Sequence, residues 1–288
     1  MKIMFPKPSL WFSGLILLLV MGCGGDKPAQ INRLSVGVVS YDQGARSLQQ
    51  YEKFKDYLAE RTEAVVDLEP TYNELNALDQ IKRRAWTLVF APPGLAALAI
   101  DRYQYIPLFP TQGVNDVRSV IVVAANSPIA SLSDLNSTVI ALGQPGSAAG
   151  YYLPLYDLYG LTLAEIRFAP TPKTVLEWIH SGQVAAGALS KDQYQRYRSQ
   201  FPPDALRILH TSRSSPAGVV LLGPTIAQNQ QEAVTTALRQ SPSAIADDAG
   251  FIPTAPVPNY SEFIKLVNKV KPIEAHVRQK PAVLTLTP

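Results

Sequence analysis

The residues whose types and spacing could do chemistry are Gly143, Gln144, Pro145, Gly146, Ser147, Ala148, Ala149 and Gly150. They follow the apolar run Thr138 to Leu142 and precede a helical stretch. Glycine and alanine leave the backbone open to close approach. The first amides of a helix are unpaired donors at the positive end of its dipole. Strand, small-residue turn and helix could therefore hold an oxyanion, with the Ser147 hydroxyl as a further donor. The same residues also suit a plain turn, in which Gly146 makes the bend and Ser147 caps the helix. No Gly-Lys-Ser/Thr follows, and the glycine spacing does not match the dinucleotide fingerprint, so the segment is not a nucleotide loop of either kind.

Other chemistry is sparse. His180, His210 and His276 are far apart and have no ligand spacing, so no metal and no cofactor is expected. Arg118 and Arg213 read as exposed hinge residues that could also reach an anion. Tyr151 and Tyr152 follow the turn directly, and one of them is expected to face a ligand. No Ser-His-Asp or Cys-His set can be assembled and no carboxylate pair stands at matched loop positions, so no enzyme is expected.

The elements that position this turn follow from changes of apolar period. Leu34 to Val39 predicts a strand. Leu48, Tyr51, Phe54 and Leu58 recur at helical spacing. Val65 to Pro70 is extended, and Leu75, Leu78 and Ile81 mark a helix closed by Lys82, Arg83 and Arg84, whose charge suits its negative end. Trp86 to Ala91 predicts a strand, Leu95 to Ile100 a short helix, and Tyr105 to Phe109 and Val117 to Ala125 extended segments. The alternation then restarts. Ser131 to Leu135 is a helical turn, Thr138 to Leu142 a strand, and Ser147 to Tyr159 a helix interrupted at Pro154. Thr171 and Pro172 open a helix with Val175, Leu176 and Ile179 inward. Val184 to Leu189, Lys191 to Tyr197 and Leu206 to His210 continue as strand, helix and strand. Val219 to Leu222 begins a third stretch with helices at Thr225 to Arg239 and Ser261 to Arg278, and Ser241 to Asn259 between them is expected to be irregular.

A core that starts, is interrupted by a second unit and resumes predicts an α/β fold of two lobes with a ligand cleft between them. Residues 34–125 and 213–288 form the first lobe and 126–212 the second, with crossings near Ala125 and Ser212.

The chain has 288 residues, 47% of them hydrophobic and 17% charged, a globular balance. Its 26 Lys and Arg against 23 Asp and Glu leave too small and too dispersed an excess for nucleic acid. Residues 1–22 run from Lys2 and Lys7 through the apolar stretch Leu10 to Met21 to Gly22, the layout of a secretory signal. Val20, Met21, Gly22 and Cys23 resemble the lipobox of bacterial lipoproteins, in which the cysteine is acylated. A signal cleaved elsewhere and an uncleaved anchor are the alternatives. Cys23 is the single cysteine, so no intrachain disulfide forms. Residues 23–33, rich in Gly, Pro and polar side chains, read as a tether.

Residues 140 to 155, IALGQPGSAAGYYLPL, resemble the segment carrying Pro-Gly-Ser-Thr-Ser-Gly-Tyr in the phosphonate, phosphite and phosphate binding proteins of ABC importers, the PhnD-like solute-binding proteins. GVVSYD at 37 to 42, LVFAPPG at 88 to 94 and RSVIVV at 118 to 123 fall in the family's order. The resemblance implies a type II periplasmic binding fold. It assigns anion contacts to Ser147 and to the amides of Ala148, Ala149 and Gly150, and puts Tyr41 in the cleft. The family's Thr and second Ser stand here as Ala148 and Ala149, and the Tyr that tends to follow its Gly-Pro element appears as Leu95. Ala185, Leu189 and Ser190 replace acidic positions of many relatives, which places a carboxylate for an aminoalkyl ammonium in doubt.

The resemblance implies a monomeric, lipid-anchored extracytoplasmic solute-binding protein. It would capture a small oxyanion or organophosphorus compound by lobe closure and deliver it to an ABC permease in the inner membrane. An enzyme on the same fold, or a sensory or assembly lipoprotein without a small ligand, are the other classes.

Overall fold

The computed structural model describes residues 32–39, 48–113 and 116–285. The signal segment, Cys23, nearly all of the tether and Tyr41 lie outside the described residues. The first run of elements is β1 (Arg33–Val39), α1 (Leu48–Thr62), β2 (Val65–Thr71), α2 (Glu74–Lys82), β3 (Leu88–Ala91), α3 (Pro93–Tyr103) and β4 (Ile106–Pro110). The second is β5 (Val117–Ala124), β6 (Val139–Leu142), α4 (Leu153–Asp157), β7 (Thr162–Leu163), β8 (Glu165–Phe168), α5 (Pro172–His180), β9 (Ala186–Ser190), α6 (Lys191–Tyr197) and β10 (Leu206–Ser215). The third is β11 (Val219–Leu222), α7 (Gln228–Arg239), α8 (Ser243–Ala249), α9 (Ser261–Val270) and β12 (Ala282–Val283).

Two five-stranded sheets result, ordered β2-β1-β3-β11-β4 and β10-β5-β9-β6-β8. In the first, β1 runs parallel to β2 and β3, while β11 lies antiparallel between β3 and β4. In the second, β6 runs parallel to β8 and β9, and β5 is antiparallel to β9 and β10. This is the mixed α/β architecture that the alternation of periods predicts.

The crossings differ from expectation. β5 belongs to the second sheet, so the chain leaves the first sheet between residues 110 and 117 and returns between 215 and 219, rather than near Ala125 and Ser212. An apolar run such as 117–124 reads the same in either sheet. What decides is β10, a ten-residue strand whose register pairs Leu206 with Ala124 and Ser215 with Val117. The C-terminus also departs from the first lobe, because β12 pairs antiparallel with β7 of the second unit.

Further corrections are local. The buried stripe of α2 is Ala77 and Ile81, while Leu75 is exposed. The stretch 241–259 contains α8, whose buried residues are two alanines and therefore carry no strong apolar signal. α9 ends at Val270 because Pro272 lacks the amide a continuing helix needs, and a tight 3₁₀ turn follows. β8 is a short strand at the sheet edge that periodicity does not announce.

Three clusters make the core. In the first lobe Tyr51 and Phe54 of α1 meet Phe90 edge-to-face at 5.3 and 5.5 Å, with Phe251 closing the group. In the second, α5 and α6 cover β5 and β9 through Val175, Leu176, Ile179 and Tyr194. The third joins the lobes. It unites Val89 and Val219 of the first sheet, Ile121 and Ile140 of the second, and residues of α3, α4 and α9.

Candidate ligand-binding site

The carboxyl ends of β6, β8 and β9 open onto the N-termini of the helices that follow them, where open α/β sheets place ligands. β6 leads through Gly143–Gly146 to Ser147, which caps a wide turn over Ala148–Tyr152. Tyr152 N–H donates to the Ser147 carbonyl at 3.1 Å, a five-residue closure, so this turn is a π-helix that passes directly into α4. β8 leads to Thr171, which caps α5 by accepting from Thr174 N–H at 3.1 Å. β9 leads to Ser190 and Gln193, a reciprocal capping box that starts α6. From the first lobe, Asn73 accepts from Asn76 N–H at 2.8 Å and starts α2.

These helix starts surround a cavity of about 40 Å³ lined by Tyr72, Glu74, Gly143, Gln144, Ser147, Gly150, Thr171, Gln193 and neighbouring apolar atoms. That is room for a few water molecules. The first lobe presses directly on the turn. A Cβ on Gly94 would lie 2.1 Å from the Gly146 carbonyl oxygen and 2.6 Å from the Ala148 nitrogen. Gly146 has φ +106°, and Leu95 and Glu74 leave no space for a side chain there.

Ser147 carries the polar geometry. Its hydroxyl oxygen accepts from Gly150 N–H at 3.0 Å, and the carboxyl group of Glu74 shares the cavity wall with it. Glu74 is partly buried at the first position of α2. Burial pushes its carboxyl up to about 7, against smaller opposing effects from its own backbone amide and from Ser147.

The expected site residues separate on this geometry. Ser147 and Gly150 line the cavity, although the Gly150 amide is engaged by Ser147 rather than open to an anion. Ala148 is buried with its amide nitrogen against Gly94, and the Ala149 carbonyl accepts from the Ser119 hydroxyl at 2.6 Å. Neither forms the cavity wall. Tyr151 is a correction. It is buried away from the cavity, 5.1 Å from Tyr152 and 6.2 Å from Phe168. In an α-turn position 151 would stand over position 147. The five-residue closure carries it off that face.

Leu95 is fully buried, so no side chain there reaches a ligand. Arg213 instead lies over the Tyr156 ring at 4.6 Å, and Arg118 pairs with Asp116 at 2.8 Å. Glu74 is the residue that the periodic reading misses. It lies just before the stripe Leu75, Leu78 and Ile81 that marks the helix, and the contact that gives it meaning comes from the other lobe. Among the described residues, no group of three His, Cys, Asp or Glu could hold a metal and no helix is long and apolar enough to cross a membrane.

A family model described as ABC transporter, phosphonate, periplasmic substrate-binding protein matches residues 36–261. Among solved structures, XAC2383 from Xanthomonas citri, recorded bound to chloride ion, has a TM-score of 0.68 and 22% identity over 82% of this chain and 98% of its own. The same protein bound to ATP has a TM-score of 0.68 and 21% identity over 83% and 98%. PhnD1 from Prochlorococcus marinus, in complex with methylphosphonate, has a TM-score of 0.64 and 16% identity over 83% and 98%. No curated protein matches the chain.

Proposed function

Because the chain belongs to the family of periplasmic substrate-binding proteins of phosphonate ABC transporters, we propose that it captures a small phosphorus oxyanion between its lobes and hands it to a permease in the inner membrane. Acylation of Cys23 would hold it at the membrane as a monomer, and no chemical step is part of the role. The observation that carries this reading is the convergence of helix N-termini on one cavity, with Ser147 at its wall. Methylphosphonate in PhnD1 and ATP in XAC2383 are both phosphorus oxyanions, which supports the same ligand class.

α2 and α3 of the first lobe pack against the Gly146–Ala148 turn, so opening the cavity to an ion moves them away from it. Closing around the ion then gives the permease a shape that differs from the open one.

The test is thermal unfolding of the purified protein with phosphate, phosphite, methylphosphonate, aminoethylphosphonate and sulfate. A ligand at 1,000 times its dissociation constant adds about 4 kcal/mol, which raises the midpoint by on the order of 10 °C at this size. Ser147→Ala should weaken the bound ligand by roughly tenfold or more, the worth of one charge-assisted hydrogen bond. A flat response to every anion would overturn the ligand class.

A further inference from the structure

A second cavity, of about 570 Å³, lies where the chain passes between the two sheets. It shares no wall residue with the cavity at Ser147. Pro110 closes β4 just before the outgoing passage, and Ser215, Pro216 and Ala217 begin the returning one, so both passages form wall. The segment 252–266 supplies the rest. It is tied to both passages, since Ile252 N–H donates to the Pro110 carbonyl at 2.9 Å and the Tyr260 hydroxyl donates to the Ala217 carbonyl. Pro110, Pro216, Pro256 and Pro258 stiffen the wall. The space is therefore preformed, and its volume suits a small organic molecule.

The wall combines one cation with apolar surface. Phe263 and Leu266 of α9, with the proline rings, give the apolar part, and Arg213 gives the charge. The Arg213 guanidinium lies over the Tyr156 ring at 4.6 Å, and its Nη2 donates to the Tyr156 hydroxyl at 3.4 Å, so an uncharged partner holds it in place. Stacking uses the face of the guanidinium and leaves most of its in-plane N–H donors for a ligand. Lys269 Nζ stands 5.0 Å over the same ring and adds positive charge. The acids nearby are engaged. Glu262, the acid on the cavity wall, pairs with Lys265 at 2.8 Å, Asp157 with His210 at 3.1 Å and Asp116 with Arg118 at 2.8 Å.

We propose that this cavity is a second ligand site, for a small organic acid with an apolar body. The carboxylate takes the Arg213 fork through charge-assisted hydrogen bonds. The apolar part leaves water for the surface of Phe263, Leu266 and the proline rings. An uncharged analogue forfeits the bonds to Arg213, and an amine meets Arg213 and Lys269 as like charges. The site draws nothing from the cavity at Ser147, so it stands whether or not that cavity takes a phosphorus oxyanion.

Calorimetric titration of the purified protein with 4-phenylbutyrate, 4-phenylbutanol and 4-phenylbutylamine at neutral pH, repeated on Arg213→Gln and Ala255→Trp, tests this. The acid should saturate one site with a dissociation constant of about 1 mM or tighter, the alcohol should bind at least about tenfold more weakly, and the amine should not bind. Arg213→Gln should weaken the acid by roughly tenfold and remove its advantage over the alcohol. Ala255 lies on the wall, so the indole of Ala255→Trp fills the space and should abolish binding of acid and alcohol alike. Thermal midpoints of the unliganded variants check their folding, and either variant decides the matter if the other fails to fold. An acid that never saturates, equal affinity of acid and alcohol in the wild type, or full affinity retained in a folded variant overturns the site.

Discussion

Glu74 ties folding to pH. Its carboxyl is held at about 7 in the folded protein against 4.5 when unperturbed, chiefly by burial. Between those values the folded protein keeps a proton that the unfolded chain has released, so stability is withdrawn as pH rises through the window and stays flat above it. The full shift corresponds to about 3 kcal/mol, reduced by partial exposure and by the favourable helix N-terminus to about 1–2 kcal/mol. Glu74→Gln should therefore be more stable than wild type by that amount in urea melts at pH 8 and match the wild type near pH 4.5. An equal difference at both values would mean that packing, not titration, separates the two proteins. Ser147 and Glu74 differ in how far sequence could reveal them. Ser147 stands in a local pattern, small residues between a strand and a helix, whose meaning does not depend on distant chain. Glu74 looks like an ordinary acidic residue in a first helical turn. Its carboxyl becomes a site group only because α2 of one lobe meets the turn after β6 of the other.

At the scale of elements, the decisive contact is between the start of α3 and the π-turn at 148–152. Gly94 is the second residue of α3, and the atoms a Cβ would strike there, the Gly146 carbonyl and the Ala148 nitrogen, are backbone. Neither can step aside as a side-chain tip could. Gly94→Ala should push α3 off the turn, lower stability by about 1–3 kcal/mol and weaken methylphosphonate together with it. Gly160→Ala is the control. It has φ +99° with open space around it, so backbone strain of roughly 1 kcal/mol should appear without any change in affinity. Urea melts and titrations on both variants separate the two effects, and equal affinity loss in both would remove the special role of the α3 contact. Helix and strand periods made most elements legible, because α1, α5 and α9 each bury a continuous apolar face. The π-turn was not legible. Its residues read equally well as α, and the choice is made by Ser119, whose hydroxyl holds the Ala149 carbonyl, and by Gly94 packing from outside.

For the whole molecule, two sheets suggest two folding units, yet the third core cluster argues against independence. Ala96 to Ala99 of α3, Leu153 and Leu155 of α4, and Phe263, Leu266 and Val267 of α9 pack together between the sheets. Tyr260 adds a hydrogen bond to the Ala217 carbonyl beside the return crossing, and Leu284 is fully buried after β12 has paired with β7. Unfolding either lobe alone would strip this shared surface from its partner, at about 1.5–3 kcal/mol for each large apolar side chain exposed. Several such side chains exceed the few kcal/mol that usually separate folded from unfolded states. Differential scanning calorimetry should therefore show one transition, with calorimetric and van't Hoff enthalpies in agreement. Methylphosphonate should move that transition as a unit, since a ligand bridging the lobes stabilises the only folded species present. Two resolved peaks, or a ligand that shifts one and leaves the other, would show that the α3, α4 and α9 cluster does not couple the lobes. Opening for the ligand would then have to be a motion of separate domains.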